Sequence, residues 1–418
     1  MMLLIPKLRF PDYINQKEWD TESMETIFAI RNGYTPSKVN PRFWDNGNIP
    51  WFRMEDIRLN GHILSDSIQH VTPEAIKGKG LFPAYSIIVA TTATIGEHAL
   101  IIVDSLANQQ FTFLTKRKSF EKVIDMLFFH YYMFIVDDWC KKNTNSGGLL
   151  SVNMSAFKQL KIPYPINLSE QQKIAECLSS IDSYISSINE KVEQLKTHKK
   201  SLMQKLFPQK GQTVPEFRFP EFNTEWKKVA LGDIFVERRE HSTITDDLPQ
   251  LSFTIEEGVI YPDNKKTNKR DFLINDKDNK KYLVTYIDDI IYNPANVIYG
   301  AIHKNSLCNG VVSPIYKIFS TSQDASFMEY IVRMPEFIQK MSTYMEGTVL
   351  KLRTLKPESF LKMEVFIAPS LAEQRKIAEC LSSIDKTIEY YTKKSVILEQ
   401  HKKGLMQQLF PKLKELKK

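Results

Sequence analysis

Residues 170–182 read EQQKIAECLSSID, and residues 373–385 read EQRKIAECLSSID. The two stretches differ at one position, where Gln172 of the first stands against Arg375 of the second. The residues that precede each stretch share far less sequence. The chain has therefore kept one segment nearly constant while its neighbours have diverged.

The repeat extends beyond these stretches in the same register. The residues HKK at 198–200 recur at 401–403, and LFP at 206–208 recurs at 409–411. The repeated segment is about forty residues long, which corresponds to roughly 60 Å of helix at 1.5 Å per residue.

Both copies carry the signals of a helix with defined ends. Asn167 and Ser370 occupy equivalent positions and are candidate N-caps. Each is followed three residues later by a glutamate, Glu170 or Glu373, which is the spacing of a capping box. A proline closes each copy, where it would interrupt helical hydrogen bonding. The sequence therefore predicts two long helices.

The interior of each copy follows a heptad pattern. Apolar side chains recur at spacings of four and three residues, which is typical of the a and d positions of a coiled coil. They are Ile174, Leu178, Ile181, Ile185, Ile188, Val192, Leu195 and Leu202 in the first copy, and Ile377, Leu381, Ile384, Ile388, Leu398 and Leu405 in the second. Lys199 and Lys402 fall on the same stripe, where a polar residue can fix the register.

A single helix of this length with one apolar stripe is unstable alone. We expect the two helices to pair with each other. Two alternatives stay open from the sequence: each helix could pack separately on its own domain, or the stripes could serve only the association of two chains.

A weaker repeat precedes the long helices. IPKLRFPDYINQKEW at 5–19 is similar to VPEFRFPEFNTEW at 214–226, so the chain reads as two copies of one plan. The predicted parts are an N-terminal segment (1–20), a first variable domain (21–166), a central helix (167–208), a linker (209–226), a second variable domain (227–368), a distal helix (369–411) and a basic tail (412–418).

The two variable regions show short β-rich runs punctuated by Gly, Pro and Asn, and one longer helix-like apolar run each, near 120–136 and 325–341. We predict an α+β fold: two mixed domains separated by two long helices that pair as an antiparallel coiled coil, with pseudo-twofold internal repetition.

The first region contains aromatic and cationic residues interleaved between 32 and 57, a combination that suits nucleic acid. Its candidate contacts are Tyr34, Lys38, Arg42 and Arg53. Trp44 and Trp51 lie in the same stretch, but we interpret both as core residues.

Both regions end in a glycine turn beside basic residues, which could expose backbone N–H groups to phosphates. The candidates are Lys141, Lys142 and Ser146 in the first turn, Thr348, Lys351 and Arg353 in the second, and Lys265, Lys266 and Arg270 in the basic run NKKTNKR. A plain surface turn and a solvated charged face are the alternatives.

The 418 residues are 42% hydrophobic and 25% charged, with a net charge of +7. This composition is that of a globular protein of about three domains, and it is compatible with a polyanionic partner. The four cysteines form no CxxC pair, which favours a reduced, cytoplasmic chain without a zinc or disulfide framework. The longest apolar run has eleven residues, too few to span a bilayer.

The motifs of nucleotide binding and metal catalysis, GxxxxGK[ST], GxGxxG and HExxH, do not occur. YNPA at 292–295 is similar to the NPPY motif of amino-methyltransferases, but Ala295 replaces the second proline and no glycine-rich cofactor loop precedes it. We expect Asn293 and Pro294 to form a turn. The chain is predicted to be non-catalytic, with neither cofactor nor metal of its own.

Taken together, these features resemble the specificity subunits of Type I restriction–modification systems over essentially the whole chain. The resemblance rests on the boundary segments at 162–182 and 367–385 and on GYTPSK at 33–38, IPWFRMEDI at 49–57, TTATIGEHA at 91–99, LANQQF at 106–111 and NGVVSPIY at 309–316. The second domain lacks the GxTP-like segment and IPW, which fits two domains that read different sequences.

The resemblance implies that each recognition domain reads one half of a split DNA target, and that the paired helices hold the domains apart. It also implies two modification subunits that bind S-adenosylmethionine, and restriction subunits that use ATP and Mg²⁺. We predict that Glu170, Gln171, Glu373 and Gln374 help to seat these partners, with helix capping as the rival interpretation. A DNA-binding coiled-coil protein without enzymatic partners is the alternative function, and the absent motifs argue against a fused enzyme.

Overall fold

The computed structural model describes residues 4–78, 80–145, 150–209, 211–264, 281–347 and 353–411. The chain forms two compact units, one made of Met1–Glu190 with Thr392–Lys418 and the other of Lys191–Tyr391. Because each boundary falls inside a long helix, both long helices contribute residues to both units.

The first unit contains the elements that precede the central helix. Its helices are α1 (Met24–Ile27), α2 (Met54–Asn60), α3 (Met126–Lys142), α4 (Met154–Gln159) and the beginning of α5 (Leu168–Leu206). Its strands are β1 (Asp20–Ser23), β2 (Phe28–Asn32), β3 (Ile49–Phe52), β4 (Ile63–Leu64), β5 (His70–Val71), β6 (Ser86–Ala90), β7 (His98–Ile101), β8 (Leu106–Ala107), β9 (Phe111–Lys116), β10 (Thr144–Asn145), β11 (Ser151–Val152) and β12 (Lys161–Tyr164).

The second unit contains the elements between the long helices. Its strands are β13 (Lys227–Ala230), β14 (Phe235–Glu237), β15 (His241–Ser242), β16 (Ser252–Thr254), β17 (Gly258–Ile260), β18 (Tyr282–Thr285), β19 (Ile290–Tyr292), β20 (Ile302–Lys304), β21 (Gly310–Val312), β22 (Lys317–Thr321) and β23 (Glu364–Ile367). Its helices are α6 (Ala325–Val332), α7 (Pro335–Tyr344), α8 (Pro357–Leu361) and the beginning of α9 (Leu371–Leu409).

The main sheet of the first unit has the strand order β2-β9-β6-β7-β4 and is covered on both faces. Side chains alternate across a strand. In β6, therefore, Ile87 and Val89 pack in the core around α3, while Ile88 and Ala90 pack in the core that contains Trp51. Burial on both faces explains why β6 reads as the unbroken apolar run SIIVA.

The main sheet of the second unit has the order β14-β22-β19-β20 and repeats the antiparallel pairings of β2, β9, β6 and β7. Ile290 and Tyr292 of β19 face the core around α6, and Ile291 faces the opposite core. The α+β prediction is confirmed, and the two regions share one topology although their sequences differ.

The two units differ in detail. The helix that covers the sheet is continuous in the first unit, as α3, but is divided into α6 and α7 at Pro335 in the second, because proline cannot extend a helix backwards. In the smaller sheets, β3 pairs with β8 in parallel, whereas β18 pairs with β21 antiparallel.

Helices α5 and α9 are each 39 residues long and end two residues before a proline. The predicted N-caps are confirmed: Asn167 Oδ1 accepts from the backbone of Ser169 at 3.0 Å, and Ser370 Oγ accepts from Ala372 at 3.2 Å. The predicted capping boxes are wrong, because both glutamates turn inward to other partners. Among the described residues, no helix is both long enough and apolar enough to cross a membrane.

The predicted antiparallel pairing is confirmed within each unit. In the first unit, Lys402 Nζ, late in α9, lies 2.6 and 2.7 Å from the carboxylate oxygens of Asp182, early in α5. In the second unit, Lys199, late in α5, lies 2.6 and 2.8 Å from Asp385, early in α9. These are the two lysines that fall on the apolar stripe.

Every residue of the predicted stripe is buried or half-buried. Ile174 and Leu178 belong to the core of the first unit, together with Met406 and Leu409 from the end of α9. Ile377 and Leu381 belong to the core of the second unit, together with Leu206 from the end of α5. Each helix therefore packs on its own domain as well as on the other helix. Pairing of the helices and packing on a domain, which the sequence left as alternatives, both occur.

Candidate nucleic-acid interface and its supporting junctions

A buried ion pair fixes the start of each long helix to the segment before its domain. Arg9 Nε and Nη2 each donate to a different oxygen of Glu170, both at 2.7 Å, and Trp19 Nε1 lies 3.4 Å from the same carboxylate. The pairing is bidentate, a geometry in which the guanidinium and carboxylate reinforce each other. Glu170 is 1% exposed.

The second unit repeats this arrangement. Arg218 donates to Glu373 at 2.7 and 2.8 Å, and Trp226 Nε1 donates to it at 3.1 Å. Hydrogen bonding to Glu373 raises the pKa of Arg218. The 209–226 segment, predicted as a linker, is therefore the structural counterpart of the N-terminal segment.

The glutamine that follows each glutamate binds the start of the domain's main helix. Gln171 Oε1 accepts from Asp125 N at 2.9 Å, and its amide donates to the carbonyls of Val123 and Pro165. Gln374 makes the matching bond to Asp324 N, also at 2.9 Å. These bonds satisfy backbone groups in the interior, where an unpaired group would be costly.

The prediction that Glu170, Gln171, Glu373 and Gln374 contact partner subunits is therefore wrong. All four side chains are at most 1% exposed and are fully engaged within their own unit. Helix capping, the rival interpretation, is also incomplete, because these four side chains form hydrogen bonds with the segments before each domain and with the domain helices.

Further along each long helix, three residues form a second junction: a tyrosine of the domain, an aspartate of that helix and a lysine of the other long helix. Tyr131 of α3 donates to Asp182 at 2.8 Å, and Lys402 lies over the tyrosine ring at 5.1 Å. Tyr330 of α6 donates to Asp385 at 2.7 Å, with Lys199 over its ring, also at 5.1 Å. Burial, reinforced by the aspartate in each case, raises the pKa of both tyrosines. Each domain is thus tied to both long helices.

Some identical positions of the repeat face solvent instead. Lys173, Glu176 and Ser180 are exposed, as are their counterparts in α9, Lys376, Glu379 and Ser383. Internal packing explains the identity of the buried positions. Among the exposed ones, Lys376 pairs with Glu221 and lies 4.8 Å from the centre of the Phe219 ring. These six residues form a second, outward-facing part of the repeat, and we call them the exposed repeat residues.

In the first unit, the loop motifs that carried the resemblance meet at one edge of the sheets. Tyr34 N donates to Ala107 O at 2.8 Å, and Thr35 Oγ1 donates to Gln109 Oε1. Thr91 N donates to Gln110 O at 3.0 Å and its carbonyl accepts from Val152 N at 2.9 Å. We call this assembly of segments 33–38, 91–96, 107–110 and 151–152 the first face.

Several predicted contacts lie near the first face. Lys141 and Lys142 are exposed at the end of α3, directly before the β10–β11 hairpin. Lys38, the last residue of the GYTPSK motif, and Arg42, in the short 3₁₀ turn Pro41–Phe43 that follows, are both exposed. Ser146 lies outside the described residues.

Two candidates of this region have structural roles instead. The Tyr34 hydroxyl donates to Ala75 O at 3.0 Å and accepts from Lys77 N at 2.9 Å. Arg53 is half-buried at the N-cap of α2, where it pairs with Glu55 at 2.8 Å. Both side chains help to stabilise the loop, and their role as DNA contacts stays a prediction. Trp51 is buried as predicted, and its indole donates to Tyr34 O at 3.0 Å.

The second unit has a cleft of about 900 Å³ at the corresponding edge. The loop after β19 forms one side, where Asn293 Oδ1 accepts from Ala295 N and Asn296 N, which confirms the predicted turn. Leu355 N donates to Pro294 O at 3.0 Å, so the segment after the glycine turn borders the same cleft. We call this cleft the second face.

Charged side chains of both signs line the second face, and its cations include Arg239, Lys317 and Lys356. Arg239 pairs with Glu237, and Lys356 pairs with Glu346. The sequence analysis did not predict any of these three cations. For Arg239 the available signal was the dibasic pair Arg238-Arg239 directly after a short β-rich run. Lys317 and Lys356 have no adjacent basic residue and gave no such signal. Arg353 is exposed and donates to Gly347 O at 3.2 Å. Lys265, Lys266, Arg270, Thr348 and Lys351 lie outside the described residues.

Comparison with known proteins shows what this chain is similar to. Residues 16–197, which include the first face and most of α5, match the Type I restriction modification DNA specificity domain. The chain is 39% identical over 242 residues to the Type I restriction enzyme EcoprrI specificity subunit of Escherichia coli, an alignment that covers 57% of this chain and 59% of the relative. It is 26% identical over 321 residues to the MjaVIII specificity subunit of Methanocaldococcus jannaschii, covering 70% and 71%.

The fold agrees with these matches. The crystal structure of a Type I restriction–modification system S subunit from M. genitalium superposes with a TM-score of 0.60 at 15% identity and covers 97% of this chain and 99% of that one. The chain is therefore similar to Type I restriction–modification specificity subunits in sequence, and its fold is similar to that of a solved S subunit. Its alignment with the E. coli relative spans about 59% of that protein's length.

Proposed function

We propose that this chain is the DNA-recognition and assembly subunit of a Type I restriction–modification complex, in which each unit reads one half of a bipartite target. The observation that carries this proposal is the contrast between matched supports and unmatched faces. Two domains of one topology sit on the same Glu–Arg–Trp and Tyr–Asp–Lys contacts, yet present different loops. Base-edge contacts from such loops would specify sequence, and the nearby lysines would position the duplex.

The exposed repeat residues support a second part of the proposal. Lys173, Glu176 and Ser180 are identical to their three counterparts although all six residues are exposed. Two equivalent copies of one partner would require two equivalent surfaces. We assign that partner as the modification subunit, which would supply S-adenosylmethionine chemistry, while restriction subunits would bring ATP and Mg²⁺. This chain would contribute no catalytic residue.

Methylome sequencing tests DNA recognition. A host that expresses this chain with its modification partner should acquire a split methylated motif that is absent without the chain. Replacement of residues 227–368 by the same region of a relative should change one half of that motif, and replacement of residues 21–166 should change the other. Changes in both halves from one replacement would contradict independent reading.

Co-purification tests assembly. The double variant Glu176→Lys, Glu379→Lys should lose both partner copies, and either single variant should retain one. Glu190→Lys is the matched control, because Glu190 is exposed on α5 but corresponds to Lys393, so equivalent partners cannot both require it. Specific DNA binding by the solitary chain, with no partner recovered, would favour the stand-alone alternative.

A further inference from the structure

A buried histidine beneath the first face contacts two acceptor groups. His98, the first residue of β7, is 0% exposed. Its Nδ1 lies 2.6 Å from Asp137 Oδ2 and its Nε2 lies 3.0 Å from the carbonyl oxygen of His130, both on α3. A carbonyl accepts only, so Nε2 carries a proton, and the short contact to Asp137 requires a second proton between Nδ1 and Oδ2.

The His98–Asp137 pair therefore holds one proton more than a neutral imidazole beside a carboxylate would. Loss of that proton would leave a net negative charge in the interior. Within the described part of the chain, Asp137 Oδ1 has no hydrogen-bond partner to compensate such a charge. Burial, the main cause, raises the pKa of Asp137, and the contact with His98 opposes that rise.

The other ionisable groups around His98 are accounted for. His62 Nδ1 donates to His98 O at 2.7 Å. Burial above all, and then His98, lowers the pKa of His130 well below its usual range, so that ring stays neutral. Glu97 and Lys141 act on Asp137 with opposite signs, and the charge of Lys402 is paired with Asp182.

In the second unit, the buried histidine is satisfied without an extra proton. His303 of β20 donates from Nε2 to Ile255 O at 2.7 Å and accepts at Nδ1 from Arg333 Nη1, also at 2.7 Å. One donor and one acceptor describe a neutral ring. Glu329 lies 3.5 Å from Nδ1 but pairs with Arg333. The shared proton therefore distinguishes the first unit from the second.

The pair lies where it can control the first face. Gly96 ends the TTATIG motif at φ +88°, and a Cβ there would stand 2.8 Å from Asp137 O, so this loop rests directly on α3. Lys141 and Lys142 follow Asp137 by about one turn and lead into the β10–β11 hairpin. Two segments that border the first face thus meet at the His98–Asp137 pair.

We propose that His98 and Asp137 are positioning residues that hold the first DNA-reading face in place through one shared proton, so that its reading weakens as pH rises while the second face is unaffected. An unfolded histidine loses its proton near pH 6.5, about its ordinary value. The stabilisation is therefore present while the pair holds its shared proton and is lost at higher pH, where that proton leaves and a negative charge stays buried. The DNA readout of this proposal rests on the proposed function.

Asp137→Asn is the informative variant. Its amide can donate to Nδ1 of a neutral ring while Nε2 still donates to His130, so both hydrogen bonds survive without the shared proton. The assembled complex would be assayed between pH 6.5 and 9 for methyl transfer to genomic DNA from a host that lacks the system. We expect the ratio of variant to wild-type rate to rise by up to about tenfold per pH unit above the titration of the pair.

Glu329→Gln in the second unit is the matched control, and its ratio to wild type should stay flat. A flat ratio for Asp137→Asn would overturn the proposal. Imidazole ¹⁵N resonances of the full chain give a readout independent of DNA: Nδ1 of His98 should remain proton-bonded at pH 7.5 and Nδ1 of His303 should be bare. A bare His98 Nδ1 would also overturn it. If no variant methylates DNA, the proposed function fails, and these resonances still decide the protonation.

Discussion

The junctions of the two units use the same residue types, whereas the faces of the two units use different ones. At the junctions, Glu170 and Glu373 receive the same Arg and Trp contacts, and Tyr131 and Tyr330 receive the same Asp and Lys contacts. At the faces, the first unit presents the Thr35–Gln109 loop pair, whereas the second presents a cleft with Arg239 and Lys317.

This contrast shows where the chain has little freedom. A buried carboxylate must keep its guanidinium, because an unpaired charge in the interior is strongly destabilising. A face that meets solvent has no such requirement, so its residues can change more freely. Identity in the repeat therefore marks internal support first, and only its exposed members suggest a partner.

The largest effect should come from breaking one buried pair. Glu170→Ala leaves Arg9 charged, with its side chain 6% exposed, and should cost about 3–5 kcal/mol. Hydrogen exchange followed by mass spectrometry should show lost protection in the first unit, while the second unit retains its own. Glu373→Ala should show lost protection in the second unit, while the first unit retains its own.

The control for this pair is Glu176→Ala, six residues along the same helix and equally part of the repeat. Glu176 is exposed, so its loss should change stability by less than about 0.5 kcal/mol. Equal effects of Glu170→Ala on both units would show that the two do not unfold separately.

A smaller effect is expected from the tyrosine junctions. Tyr131→Phe and Tyr330→Phe each remove one hydrogen bond to an aspartate, worth about 1.5–3 kcal/mol for a charged acceptor in a buried site. We place both near the lower end, because Asp182 and Asp385 are each 42% exposed. Urea unfolding should give similar losses for the two variants, and a large inequality would break the equivalence of the junctions.

The lysine–aspartate pairs should contribute less still. Lys402→Asp or Asp182→Lys places like charges together and should cost about 1 kcal/mol, since the aspartate is partly exposed. The double reversal restores opposite charges and should recover most of that loss. A double-mutant cycle measures the coupling, and additive losses would show that the pair contributes nothing.

Much of this architecture could be predicted from the sequence. The repeat, the caps and the heptad stripe predicted two paired helices, because periodicity and end signals are local properties. The placement of Lys199 and Lys402 on that stripe even indicated the residues that fix the register. The shared topology of the domains could not be predicted, since β6 and β19 have different sequences and pair with strands far along the chain.

The candidate site was less predictable for a physical reason. Glu170 at capping-box spacing carries a local signal, but its partner Arg9 is remote in sequence, so the sequence suggested an exposed or capping role for a buried residue. The hydrogen bonds of the Tyr34 hydroxyl to Ala75 and Lys77 were equally invisible, because a bonded hydroxyl looks the same in sequence as a free one. Arg239 and Lys317 become a common site only when β14 and β22 pair.

The smallest effects should separate positioning from reading. Lys142→Ala removes one exposed cation beside the first face, so DNA affinity should fall a few-fold for all sequences. The slope of log affinity against log salt concentration should become shallower by about one.

Arg239→Ala removes a cation from the second face, where guanidinium groups can bind guanine edges. It should relax base preference in one half of the methylated motif only. Methylome sequencing of both variants, with salt titration of the assembled complex, makes the comparison. If Lys142→Ala changed base preference, or if Arg239→Ala changed the half read by the first unit, the assignment of the two faces would be wrong.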